Sequence, residues 1–280
     1  MNPSELVKLK DRVISIAREG GDYAAGCFRQ LRQGEIASLS VEEKGPSDFV
    51  TRVDKEIEEM VVAALEKAAP GIPVVGEENH CKWGEGSVPP TCWILDPLDG
   101  TRNFIRGYGR FAISLALRLD GDMVIGVVYQ PVSGDLFWGV RGKGAWRNEK
   151  PLRISDQRDP TKWTVSIGMP FKAVECLDGF IGVYRFLFAE GVAIRHTGSA
   201  ALDMAYTAAG IFDGAVELAM APWDVAAGVL LIEEAGGQSA FLEDEPFLLS
   251  CSVVAGGRPF FDDTMGKEAV ATVADCLKRV

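Results

Sequence analysis

The chain has 280 residues, enough for one large domain or two fused lobes. Hydrophobic residues make up 47% and charged residues 25%, which supplies a real core and excludes intrinsic disorder. Acidic residues outnumber basic ones 40 to 29, and the net charge of −11 argues against a nucleic-acid backbone or an anionic membrane as the main partner.

In chain order, apolar residues at helical spacing (Leu6, Leu9, Val13, Ile16, Ala17) predict one long helix over residues 5–31, weakened by Gly20 and Gly21. Residues 44–54 read as a loop around Gly45 and Pro46. Thr51 or Asp54 then caps a second helix through Ala69, stopped by Pro70 and Gly71. A short strand is expected at 72–75 and a surface segment at 84–90. A buried strand at 92–95 runs into Asp96. Strands at 111–119, 123–129 and 135–140, joined by Asp120-Gly121 and Ser133-Gly134, read as antiparallel hairpins. Further on, helices are expected at 177–190, 200–209 and 222–235, with extended segments at 192–195, 214–218 and 250–255 before a C-terminal helix. That alternation implies a layered α/β lobe. The expected organisation is a single domain over 1–280, with an N-terminal lobe to about residue 155 and a C-terminal lobe from about 156.

Six cysteines (27, 81, 92, 176, 251, 276) stand without a CxxC pair and fit neither a zinc site nor a disulfide framework. The first residues lack the apolar core of a signal peptide, and no apolar run approaches the ~20 residues needed to span a bilayer. A cytoplasmic location is expected. With His80 and His196 as the only histidines, carboxylates must carry most of any chemistry.

The informative segment is Trp93-Ile94-Leu95-Asp96-Pro97-Leu98-Asp99-Gly100-Thr101. An apolar strand delivers Asp96 to its end, Pro97 forces a turn, and Asp99 returns beside Asp96 with the Leu98 carbonyl available. Two carboxylates and a carbonyl on one turn suit a hard cation such as Mg²⁺. Gly100-Thr101 can open a helix whose N–H groups seat a phosphate. Turn chemistry alone accounts for an isolated D-P-x-D-G-T equally well. Glu77 at a strand end and Asp224 in a helix's first turn shift the balance, because three acid-bearing edges then occur in one α/β chain.

These residues resemble the inositol monophosphatase family of Mg²⁺-dependent, lithium-sensitive phosphatases. The resemblance runs through Gly76-Glu77-Glu78, Asp96-Pro97-Leu98-Asp99-Gly100-Thr101-Arg102-Asn103-Phe104, Gly198-Ser199-Ala200-Ala201, and Trp223-Asp224-Val225-Ala226-Ala227-Gly228, and closes with Glu233-Glu234-Ala235-Gly236-Gly237. It implies an α/β fold layered as the αβαβα five-layered sandwich of the inositol monophosphatase and fructose-1,6-bisphosphatase type. It also implies two or three Mg²⁺ ions, with Mn²⁺ as a substitute. Glu77, Asp96, Asp99, Asp224 and the Leu98 carbonyl match metal ligands, and Asp54 matches an acid that holds a further metal through water. Glu77 and Thr101 match the pair that orients and deprotonates the attacking water, and Gly100 and Thr101 match the phosphate seat. Asp99, Gly198, Ser199, Ala200, Glu217 and Asp224 match the substrate side, although Glu217 also reads as a strand-end acid. Lys44 matches a mobile-loop lysine and equally an exposed turn lysine. Arg195 and His196 are expected to be structural, with Arg195 also a candidate for a subunit interface.

The expected reaction is hydrolysis of a small polyol or sugar phosphate, foremost inositol monophosphate, by metal-activated water and without a phosphoenzyme. Fructose 1,6-bisphosphate, histidinol phosphate, 3′-phosphoadenosine phosphates and NADP are the alternative substrates within the superfamily. A haloacid-dehalogenase mechanism would need D-x-D-x-T, which the three-residue spacing of Asp96 and Asp99 does not provide. The resemblance makes a homodimer the default and also admits a different class, a protein-binding factor in transcription. No direct nucleic-acid or membrane partner is expected.

Overall fold

In the computed structural model, which describes residues 3–34, 40–45, 48–78, 88–169, 173, 176–243, 247 and 250–262, the chain opens with helix α1 (Pro3–Gln33). Gly20 and Gly21 lie inside α1 without ending it. The loop expected around residue 45 instead contains a two-stranded antiparallel ladder, β1 (Glu42–Gly45) with β2 (Asp48–Val50). Helix α2 (Arg52–Ala68) follows. Thr51 is its N-cap, accepting a hydrogen bond from the Val53 N–H, while Asp54 accepts one from the Thr51 N–H, so the two expected caps act as one reciprocal device.

Next come β3 (Val74–Gly76), β4 (Cys92–Asp99), the short helix α3 (Thr101–Ile105), β5 (Ala112–Leu119), β6 (Asp122–Gln130), β7 (Asp135–Val140), β8 (Gly144–Arg147) and β9 (Lys150–Pro151). These seven strands form one sheet in the order β3-β4-β5-β6-β7-β8-β9, and its β4 to β9 pairings are antiparallel, as the hairpin signals predict. After a 3₁₀ turn (Pro160–Lys162) come β10 (Thr164–Ile167), α4 (Leu177–Ala189), β11 (Ala193–Arg195), α5 (Ala200–Ala208), β12 (Gly214–Met220), α6 (Pro222–Glu234), β13 (Gln238–Phe241), β14 (Cys251–Gly256) and α7 (Arg258–Asp262). The second sheet has the order β11-β10-β12-β14-β13. Most of the expected surface segment at 84–90, and any C-terminal helix beyond Asp262, lie outside the described residues.

Side-chain alternation explains how the layers stack. On β4 and β5, Trp93, Leu95, Ile113, Leu115 and Leu117 point toward α1 and α2, where they join Val13, Ala17, Ile57 and Val61. Cys92, Ile94, Ala112 and Ala116 point the other way, toward Ala201, Ala205, Ala226 and Leu230 of α5 and α6. The small residues on that face let α6 lie close to the sheet. The same two helices cover the inner face of the second sheet through Ala215, Val253 and Ala255. Its outer face, through Val165, Val216, Leu218 and Val254, packs on Val183 and Leu187 of α4 and Phe260 of α7. The result is the αβαβα sandwich, with three apolar cores filling the gaps between its layers.

Candidate metal and phosphate site

Asp96 and Asp99 are three residues apart and would face opposite sides of a regular strand. The ladder shows why they do not. Asp96 pairs with Ser114 and Asp99 with Ala112, so Pro97 and Leu98 together oppose the single residue Ile113. This β-bulge restores both carboxylates to the face that looks onto α5 and α6. Immediately beyond it, Gly100 takes φ 94°, a left-handed conformation suited to glycine, and turns the chain into α3.

Asp224, in the first turn of α6, meets this pair. One carboxylate oxygen from each of Asp96, Asp99 and Asp224 lies within 4.8 Å of the other two. Backbone donors hold each group: Leu98 N–H to Asp96 Oδ1 (2.9 Å), Ala201 N–H to Asp99 Oδ2 (2.9 Å) and Ala221 N–H to Asp224 Oδ2 (2.8 Å). The Ser199 hydroxyl also donates to Asp99 Oδ2. Such bonds fix each carboxylate plane and favour its ionised form.

The triad lines a cavity of about 680 Å³ that also includes Glu77, Leu98, Gly100, Thr101, Gly198, Ser199, Ala200 and Glu217. Glu217 reaches it because, on β12, it shares the inward face of Ala215 while Val216 and Leu218 face outward. Asp54 stands behind Thr101, whose hydroxyl lies 2.7 Å from Asp54 Oδ1 and 3.0 Å from the Leu98 carbonyl. Lys44, placed on β1, bridges Glu77 Oε1 (3.1 Å) and Glu78 Oε1 (2.9 Å). His196 also lines the cavity, with Nδ1 3.0 Å from the Ile167 carbonyl, whereas the Arg195 guanidinium donates to the neighbouring Ile194 carbonyl.

Burial dominates the electrostatics. Asp96 is held well above the usual carboxylate range by loss of solvent, then by the charges of Glu77, Asp99 and Asp224. Desolvation pushes Asp99 up to about 7 against the pull of Ser199 and Ala201, and Asp54 up to about 6 against Thr51 and Thr101. Glu78 is raised to about 7 by burial and by Glu77. At Lys44 burial pulls the ammonium down, but the Glu77 and Glu78 carboxylates outweigh it and the net shift is upward.

Three residues of this region escaped the reading of the sequence. Glu58 is fully buried on α2. Asp203 on α5 lines the cavity at 1% exposure, and its Oδ1 has no hydrogen-bond partner among the described residues. Glu78 was read only as part of a motif, yet it forms the Lys44 ion pair. The available signal was spacing: Glu58 stands four residues after Asp54, and Asp203 four after Ser199.

An all-oxygen donor set, crowded and desolvated, fits a hard divalent cation, whose charge would offset the mutual repulsion of the acids. Comparison with known proteins bears on the same point. The model of the inositol monophosphatase family matches residues 10–276. The chain belongs to the inositol monophosphatase family. It is similar to the Nus factor SuhB of Escherichia coli K12, at 40% identity over 267 residues, covering 95% of this chain and 97% of that one. It is 41% identical over 224 residues to the inositol-1-monophosphatase of Mesorhizobium japonicum, covering 80% and 84% of the two chains. The crystal structure of the extragenic suppressor protein suhB from Bartonella henselae superposes with a TM-score of 0.81 at 32% identity, covering 94% and 97%. Membership of this family, together with the acidic triad of buried Asp96 and Asp99 and half-buried Asp224, makes the chain a phosphoric monoester hydrolase with a divalent-metal site. No described helix is long and apolar enough to cross a membrane.

Proposed function

We propose that this enzyme hydrolyses inositol monophosphate, using two or three Mg²⁺ ions held by Glu77, Asp96, Asp99, Asp224 and the Leu98 carbonyl, with Asp54 supporting a further ion through water. The observation that carries the reading is the meeting of Asp96, Asp99 and Asp224 at one end of a cavity that Glu217, Ser199 and the Gly198–Ala200 backbone also line. When bound, the ions lower the pKa of water and neutralise phosphoryl charge.

The protein's own groups then have distinct tasks. The Gly100 and Thr101 N–H groups face the phosphate. Thr101 points its hydroxyl proton at Asp54 Oδ1, so its oxygen lone pairs remain to orient a water molecule. Glu77 accepts that water's proton as the new P–O bond forms in line with the breaking ester bond, and the departing alkoxide takes a proton from solvent. Asp99, Ser199, Glu217 and Asp224 accept hydrogen bonds from substrate hydroxyls, which favours a polyol over a base or an aryl group.

The test is a panel of inositol 1-phosphate, fructose 1,6-bisphosphate, histidinol phosphate, 3′-phosphoadenosine 5′-phosphate and NADP, assayed with Mg²⁺ and with Li⁺ as inhibitor. Inositol 1-phosphate is expected to give the highest kcat/KM. Preference for another member by tenfold or more would reassign the substrate, and no turnover of any would overturn the reading. The exposed apolar stripe of Leu177, Ile181, Tyr184 and Phe188 on α4 supports a homodimer, which light scattering would show as twice 30.3 kDa.

A second reading, a protein-binding regulatory role, is favoured by the relatives that are Nus factors. It predicts that Asp96→Asn abolishes hydrolysis but leaves a cellular phenotype intact.

A further inference from the structure

We infer that Glu58 is a positioning residue for the metal end of the cavity, clamping the strand end from which Glu77 is presented. The inference rests on the reading of Glu77 as a metal ligand and adds a residue outside the motifs named above.

Asp54 and Glu58 are one turn apart on α2 and so share a face. Both are buried, at 1% and 0% exposure. Asp54 reaches the start of α3 through Thr101, whereas Glu58 reaches the end of β3: its Oε2 accepts the Glu78 N–H at 2.9 Å. The carboxylate lies directly over Gly76. A Cβ at that position would stand 2.4 Å from Glu58 Oε2 and 2.9 Å from its carboxyl carbon, so any side chain at residue 76 must displace the Glu58 carboxylate.

The opposite side of the same segment is held by β4. Gly76 pairs with Leu95 in the parallel β3–β4 ladder, and the Glu77 N–H donates to the Leu95 carbonyl at 3.3 Å. Residues 76–78 are thus gripped between the strand that carries Asp96 and the helix that carries Asp54. With Glu78 fixed, its carboxylate holds Lys44, and Lys44 bridges back to Glu77. Burying an acid at position 58 costs stability unless it is hydrogen-bonded, and an apolar side chain would fill the site without that cost. What the carboxylate supplies is a directed acceptor oxygen for a backbone N–H beside a metal ligand.

The experiment titrates metal-free protein with Mn²⁺ alone, following the free ion by electron paramagnetic resonance, for wild type, Glu58→Gln, Glu58→Ala and Gly76→Ala. Glu58→Ala is expected to weaken Mn²⁺ binding by about tenfold or more, the range seen when groups supporting metal ligands are removed. Glu58→Gln keeps an acceptor oxygen of the same reach and should stay within about threefold of wild type. Gly76→Ala displaces the Glu58 carboxylate while leaving α2 intact, and should reproduce the loss even where Glu58→Ala folds poorly. In turnover, kcat should fall while KM for inositol 1-phosphate holds. Wild-type Mn²⁺ affinity in folded Glu58→Ala and Gly76→Ala, with only a lowered Tm, would overturn the inference and leave the metal site standing. Wild type that binds no Mn²⁺ would remove the metal reading and this inference together.

Discussion

Asp203 shows what a single residue costs and why the sequence conceals it. Its Oδ1 is buried without a partner among the described residues, and loss of solvent raises the group to about 7 although Thr197 hydrogen bonds pull the other way. Replacing it with Asn removes a desolvated charge at constant shape. A thermal melt of metal-free Asp203→Asn should therefore show a Tm about 2 °C or more above wild type, from a relief of about 1 kcal/mol; a fall would mean that its bonds to Thr197 matter more than its charge. Asp96→Asn removes one member of the triad, and kcat should drop on the order of 10²-fold or more, since metal-assisted charge stabilisation is worth several kcal/mol. Steady-state assays at saturating Mg²⁺ check this. Asp96 and Asp99 were legible because an apolar strand runs into their Pro97 turn, and Asp224 because it stands in the first turn of a helix. Asp203 and Glu58 were not, because an acid inside a helix reads as a solvated surface residue until packing buries it.

Among the elements, those with local signals were found and those made by distant partners were not. The amphipathic spacing of α1, the capping residues of α2 and the Asp-Gly turn between β5 and β6 are contained in a few consecutive residues. Strand β10 has only four residues and lies parallel between β11 and β12, so nothing near it in the chain announces it. Strands β8, β9 and β13, the last two at sheet edges, were likewise unread. The bulge in β4 was anticipated only as a turn at Pro97, yet it is what places both aspartates on one face. The α2 cap permits a direct test: Thr51→Ala removes the side-chain bond to Val53 and a partner of Asp54, and should cost about 1 kcal/mol, read as a lower urea midpoint with unchanged slope.

For the whole molecule, the acid cluster ties stability to pH and to metal. Asp54 at about 6 and Asp99, Glu78 and Asp203 at about 7 all lie above the unfolded carboxylate value of about 4. Between those limits the folded chain binds more protons than the unfolded one, so stability falls as pH rises from about 4 to about 7. The metal-free protein should melt at a higher temperature at pH 5 than at pH 8. Mg²⁺ favours the ionised acids, so saturating ion should flatten or reverse that trend. Scanning fluorimetry across pH, with and without Mg²⁺, checks both; a metal-free Tm independent of pH would contradict the electrostatics described above. The net charge of −11 carries the same meaning, because part of it is concentrated where cations are needed before a phosphate ester can approach.

By itself, the sequence determined the layered α/β class, the family and the acids at the ends of apolar runs, because periodicity, turn chemistry and motif spacing are local properties of the chain. Only the tertiary structure decided which acids share a cavity, which are buried without partners and which, like Glu58, hold others in place. Those outcomes depend on residues brought together from α2, β3, β4, α5 and α6, and on how far their packing removes each carboxylate from water.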